Sequence, residues 1–157
     1  MRDILFRGKP TREVLEDESL CKTLPIKDGF VYGNLIYNDK QPYIVGPIAD
    51  VDDEYCSMEW WCPVEPETVG QFTGLKDKNW FTKIFEGDIV GFTAENELWE
   101  PQYYEGTVYF CDGTFWVDCG KDSDDCDALF TIGHAKLCDE SMQIIGNIHD
   151  KPELLEA

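Results

Sequence analysis

Between Val69 and Val90 the chain reads VGQFTGLKDKNWFTKIFEGDIV, and the turn chemistry in this stretch leaves few kinds of fold open. Gly74 and Gly87 reach positive φ at no steric cost, Asn79 tolerates the left-handed region, and the Asp77 carboxylate is placed to accept a hydrogen bond from the backbone two residues on. Short apolar runs bounded by such residues read as β-strands joined by tight turns. The same grammar recurs on both sides. Asp28-Gly29 precedes FVYGNLIY, which predicts a strand from Phe30 to about Tyr37, and Asn38-Asp39-Lys40 turns it into PYIVGPI, with Pro42 and Pro47 near the strand ends where a missing N–H does least harm. Asp112-Gly113 between YYEGTVYF and FWVD predicts the clearest hairpin, closed by a type I′ turn. Ile4 to Arg7 and Met142 to Ile148 read as the first and last strands. Residues 11–23 suit either a short helix or a charged loop, Ala128 to Ile132 and Ala135 to Leu137 are short apolar pieces, and the KPELLEA tail predicts one helical turn.

Many short strands with little helical periodicity predict an all-β fold with minor helix. The proline-punctuated Pro63 to Thr68 divides it into an N-terminal β-subdomain, residues 1–66, and a C-terminal subdomain, residues 67–157, expected to be a small barrel of the SH3-like kind. The register drawn from the alternation puts Gly87, Asp88 and Gly113 in turns and buries Ile89, Val90, Val108, Phe110 and Ile145.

Charge narrows the partners. Thirty-two Asp and Glu against 13 Lys and Arg leave a formal charge of −19, which repels nucleic acid and anionic membrane surfaces and favours basic proteins or cations. The only concentration of positive charge runs from Lys76 to Lys83. No apolar run is long enough to span a bilayer and no secretory signal opens the chain, so the seven cysteines are expected to be reduced thiols of a cytoplasmic protein.

The constellations that carry chemistry elsewhere are incomplete. Asp122, Asp124 and Asp127 are spaced like a cation loop, yet an EF-hand counted from Asp122 needs Gly and Glu where Asp127 and Gly133 stand. Asp50, Asp52, Asp53 and Glu54 read as a second solvated acidic run. Cys119, Cys126, His134 and Cys138 are the donors of a Cys₃His set without the close pairs that structural zinc uses, and Cys56 and Cys62 are also too widely spaced. A Cys/His or carboxylate pair for catalysis can be assembled in many ways around His134 or His149, which selects none, and no G-x-S-x-G, P-loop or H-E-x-x-H is present. The expectation is therefore no catalytic residue, no metal and no cofactor. The aromatic side chains Trp60, Trp61, Trp80, Phe81, Trp99, Tyr103, Tyr104, Phe115 and Trp116 exceed what one small core hides, so some are expected at an interface.

The 69–90 stretch, joined to IIGNIHDKPELL near the C-terminus and to an opening with Arg2, Ile4, Phe6 and Arg7, resembles the YopX family of phage and prophage proteins, with their QFTGLKDKNG…EGDIV core. The resemblance implies a β-rich fold and a bacterial phage or prophage source, and it transfers no functional residue. Where the family has Gly after the Asn this chain has Trp80, which implies a longer loop there. The leading functional expectation is a non-catalytic module that oligomerises or docks on a host protein through its aromatic surface. An acidic DNA mimic is the first alternative, using Asp50, Asp52 and Glu54 on one face of an extended segment with Asp122, Asp124, Glu95, Glu97 and Glu100 extending the strip. An uncharacterised enzyme is the second.

Overall fold

The Asp-Gly and Asn-Asp turn signals are met by chain reversals in the computed structural model, which describes residues 1, 3–119 and 129–150 (for Leu129, the backbone only). Gly74, at φ 91°, instead lies inside a strand, at a register shift between Phe72 and Lys76. Arg2, the Asp122 to Asp127 loop with Cys126, and the KPELLEA tail lie outside the described residues. In chain order the elements are β1 (Phe6–Gly8), α1 (Arg12–Glu16), α2 (Glu18–Thr23), β2 (Val31–Asn38), β3 (Gln41–Val45), β4 (Ile48–Val51), β5 (Cys56–Met58), β6 (Trp61–Pro63), a 3₁₀ turn at Pro66–Thr68, β7 (Gly70–Lys76), β8 (Lys83–Phe85), β9 (Asp88–Glu95), β10 (Pro101–Cys111), β11 (Thr114–Asp118), β12 (Leu129–Thr131), α3 (Ile132–Cys138) and β13 (Gln143–Asn147). All the strand pairings are antiparallel, and the fold is all-β with minor helix.

The chain divides into two compact units, Met1–Gln71 and Phe72–Ala157. In the first, the strands run β6-β3-β2-β1, and Gly70 and Gln71 at the start of β7 pair with β1. Asp28 and Gly29 both take positive φ, 52° and 78°, ahead of β2, and Asp39 does so between β2 and β3. Residues 11–23 resolve as two short helices, because Asp17 ends one and caps the next by accepting from Ser19 N and Leu20 N. Val14, Val31, Ile44, Cys62 and Val64 form the core. The strand expected through Ile48 stops at Val45: Gly46 N still donates to Trp60 O, but Pro47 has no N–H to carry the ladder further. The chain then forms a separate ribbon of β4 and β5, outside the main sheet, in which every residue of β4 is exposed.

In the second unit five strands lie in the order β12-β11-β10-β9-β13, and β7 from Phe72 on pairs with β8. Asp112 and Gly113, at φ 48° and 81°, close the expected hairpin. Central β9 carries an unbroken buried run from Asp88 to Phe92, and with Ile84, Val108, Val117, Ile132 and Met142 it builds the core. Ile89, Val90 and Val108 are buried as expected. Phe110 is not: it is 49% exposed, because β10 outruns the core toward its turn and the ring packs only edge-on against Phe115, 5.0 Å between centroids. Ile145 is half-buried, at the register shift between Ile144 and Gly146 on an edge strand. Helix α3, unanticipated, starts where Thr131 Oγ1 accepts the His134 N–H.

Gly87 lies in its turn, at φ 84°, whereas Asp88 already opens β9. The Asp88 side chain is buried, and its Oδ2 accepts the Phe85 N–H at 2.8 Å, which closes the reversal from β8 to β9. Asp88→Ala leaves that donor unsatisfied, so it should lower stability by roughly 2 kcal/mol or more. Urea unfolding followed by tryptophan fluorescence measures the loss, and an unchanged midpoint would contradict this account.

Candidate functional site

The side chains singled out in the sequence fall into two groups. Phe115 is buried and Trp60, Tyr104 and Trp116 are half-buried; Tyr104 packs against Phe92 and Phe130, and the Trp116 indole N–H donates to Cys111 O. Trp61, Trp80, Phe81, Trp99 and Tyr103 are exposed. Four of these five belong to the second unit, and two of the four stand at the tips of its turns in an unusual backbone conformation.

Both tips are built by one device. At the first, Trp80 N donates to Asp77 O at 3.0 Å while Asp77 Oδ1 accepts Asn79 N at 2.9 Å. At the second, Trp99 N donates to Asn96 O at 3.0 Å while Asn96 Oδ1 accepts Leu98 N at 2.9 Å and Glu100 N at 3.0 Å. An Asx side chain folds a four-residue turn, and the residue that ends it takes the left-handed conformation that glycine usually supplies. Here that residue is tryptophan, with φ of 60° at Trp80 and 59° at Trp99. The connection from β7 to β8 runs from Asp77 to Thr82, longer than a two-residue Asn-Gly turn as expected, and within it the Trp80 backbone takes the left-handed conformation. Trp80 is 67% exposed and Trp99 81%, and their neighbours Phe81 and Leu98 are 91% and 75% exposed.

Positive charge gathers at the first tip. Lys76, Lys78, Lys83 and Lys136 are the lysines of the second unit among the described residues, which hold no arginine in that unit. Lys76 and Lys83 are direct cross-strand partners, a like-charge pair that disfavours the hairpin. Lys136 Nζ stands 5.8 Å from the Trp80 ring centroid, Lys83 Nζ 5.2 Å from that of Phe72, and Lys78 Nζ donates to Gln143 Oε1 at 2.7 Å. Leu137 beside Lys136 is exposed. Burial, followed by the Glu105 charge, raises the pKa of the Tyr103 phenol.

Helix α3 is held here by Asp139, whose carboxylate accepts from Ser141 Oγ at 2.6 Å, Ser141 N at 2.8 Å and Thr93 N at 2.8 Å. These hydrogen bonds, that of the Ser141 hydroxyl first, hold its pKa below the ordinary 3.8.

The donors of the expected-absent chemistry are dispersed. Cys138 Sγ and His134 Nε2 are 3.5 Å apart, one helical turn from each other on the exposed side of α3, and the His134 ring stacks on Phe130 at 6.1 Å. Cys119 is half-buried beyond β11, its thiol pushed up to about 12 by burial and then by Asp118. Cys62 is buried and pushed up to about 11, mainly by burial. The six described cysteines are free thiols. Among the described residues no three His, Cys, Asp or Glu side chains come together as a metal site. The acidic strip also departs from the extended arrangement: β4 ends at Val51, Asp52 Oδ1 accepts Glu54 N and Tyr55 N to reverse the chain, and the Asp50 carboxylate accepts from Tyr55 Oη. Glu97 and Glu100 lie in the Trp99 turn, so alternation along the sequence does not become one face.

The antiparallel sheets define a β-rich fold, and its likeness to a solved structure lies in that fold alone. The chain is similar to the crystal structure of protein EF1440 from Enterococcus faecalis, with a TM-score of 0.55 and 23% identity over 99% of each chain. The YopX protein family matches residues 27–156, and the chain belongs to that family. The comparison with curated proteins gave no match.

Two measurements test the site's construction. A tryptophan in the left-handed region costs about 1–2 kcal/mol that glycine avoids, against about 0.5–1 kcal/mol for greater freedom of glycine in the unfolded chain. Trp99→Gly should therefore leave stability unchanged or raise it by up to about 1.5 kcal/mol in thermal unfolding, and Trp80→Gly should be close to neutral because it also loses the Lys136 contact. As to pH, a carboxylate depressed in the folded state contributes stability that is full above its unfolded value, near 3.8, and is lost as pH falls through its folded value. Asp139→Asn should accordingly flatten the acid limb below that pH in a comparison of unfolding midpoints.

Proposed function

We propose that this YopX-family chain is a phage- or prophage-encoded, non-catalytic protein-interaction module of the bacterial cytoplasm, whose β-rich second unit serves as a barrel-like, SH3-like scaffold. Its contact elements are the Trp80-Phe81 and Leu98-Trp99 tips, and its partner is a protein, either a host protein or another copy of itself. One observation carries this reading. Two turns place large, exposed aromatic side chains where the backbone favours glycine, so the folded state is disfavoured by residues that bury little in it. Such strain finds its compensation when the side chains are covered, and tryptophan is the residue that most often anchors a protein interface. The fold supports the two turns on a hydrogen-bonded sheet and holds them pre-formed, which lowers the entropic cost of docking.

The other readings have less behind them. Catalysis would rest on the exposed Cys138 and His134 pair, which lacks a third orienting group in its hydrogen bonds among the described residues. Mimicry of DNA would rest on carboxylates that close turns instead of lining an extended strand.

A capture experiment from host lysate tests the module. The wild type should retain a protein partner at high salt, where purely electrostatic capture is screened. A Trp80→Gly, Trp99→Gly double variant of unchanged circular dichroism should lose it. Equal retention by both would remove the tips from the interface.

A further inference from the structure

The lysines at the first tip have a counterpart elsewhere in the same chain. From Gln41 to Leu75 the sequence contains no lysine or arginine, and Asp50, Asp52, Asp53 and Glu54 stand in or next to the turn of the β4–β5 ribbon. That ribbon is two strands wide, is separate from the main sheet and exposes Ile48, Val51 and Tyr55. A two-stranded ribbon with apolar side chains open to water is marginal alone and gains stability when covered. The first tip presents lysines with the same mixture: Trp80, Phe81 and Leu137 are exposed near Lys76 and Lys78, Asp77 is buried in the turn, the Asp139 carboxylate offsets Lys136, and Lys76 is held opposite Lys83 although that pairing opposes folding.

We propose that copies of this chain associate head to tail, the lysine-flanked Trp80 tip of one copy covering the acidic β4–β5 ribbon of the next. Val51 and Tyr55 supply apolar area for Trp80 and Phe81, and the exposed Asp53 and Glu54 supply carboxylates for Lys76 and Lys78. The two surfaces differ, so the contact is heterologous and repeats into a ring or a filament. Between copies of formal charge −19 the long-range repulsion is screened over roughly 8 Å at physiological ionic strength, while ion pairs desolvated at contact keep their attraction. The inference rests on the reading of the Trp80 tip as a docking element and names its occupant.

Charge exchange tests it, read by sedimentation velocity at physiological salt. The wild type should sediment as a dimer or larger species. A tip variant, Lys76→Glu with Lys78→Glu, and a ribbon variant, Asp53→Lys with Glu54→Lys, which spares the Asp50 and Asp52 side chains that fold the ribbon, should each weaken association roughly tenfold or more. All four substitutions in one chain should restore it, because the complementary signs are then reversed. Circular dichroism of each variant separates unfolding from lost contact, and an equimolar mixture of the two double variants should also assemble. A monomeric wild type, or four substitutions that fail to rescue a folded chain, would overturn the proposal. A monomer that still captured a protein through Trp80 and Trp99 would overturn self-association alone and leave the module reading standing.

Discussion

The second unit depends on one reversal, at Glu86-Gly87-Asp88. Gly87 sits at φ 84°, and that conformation aims its peptide groups in two useful directions. Its N–H donates to Val108 O at 2.8 Å and its carbonyl accepts from Ile148 N at 3.0 Å, while the neighbouring Asp88 carboxylate takes the Phe85 N–H. Four strands, β8, β9, β10 and β13, are tied at this point. A side chain at residue 87 would strain the conformation, and a shorter one at residue 88 would orphan a buried donor. The consecutive buried residues that follow, Asp88 to Phe92, can only be central because this turn places β9 between β10 and β13.

A platform fixed in this way can tolerate strain at its edges. The Trp80 and Trp99 turns are closed by their own Asx hydrogen bonds and carry positive φ at residues that gain little burial. The two surfaces that stand out are alike in kind, each combining exposed apolar side chains with charge, the first unit's ribbon presenting carboxylates and the second unit's tip presenting the exposed lysines Lys76 and Lys78 around a buried Asp77. Ordinary surface lysines and carboxylates are interspersed; here a run of 35 residues, Gln41 to Leu75, lacks any basic side chain. Segregation of this sort makes specificity by sign available to a chain whose net charge would otherwise repel its own kind.

Much of this was legible in advance, for a local reason. Asp28-Gly29, Asn38-Asp39 and Asp112-Gly113 specify positive φ within two residues, so the hairpins they close could be read off directly. Alternation placed Val90 and Val108 inside, but it said nothing of where the core ends, and Phe110 lies beyond it. Residues 11–23 were ambiguous because their helices are five and six residues long, too short for a periodic stripe. Helix α3 had a signal in Thr131, a capping residue directly before an apolar start, which strand-like composition around it obscured.

The sequence by itself determined the all-β class, the Asp-Gly and Asn-Asp turns, the family and the absence of a recognisable catalytic motif, because each depends on residues adjacent along the chain. Only the tertiary structure decided which aromatic residues are exposed, that Trp80 and Trp99 occupy glycine's conformation, that Lys136 joins Lys76, Lys78 and Lys83, and that Asp52 folds a turn instead of extending a strip. Exposure and charge clustering are set by contacts between residues far apart in the chain, such as Lys136 with Trp80 and Lys78 with Gln143. A backbone torsion is set by hydrogen bonds that a residue's identity does not specify, and tryptophan carries no local preference that would have announced it.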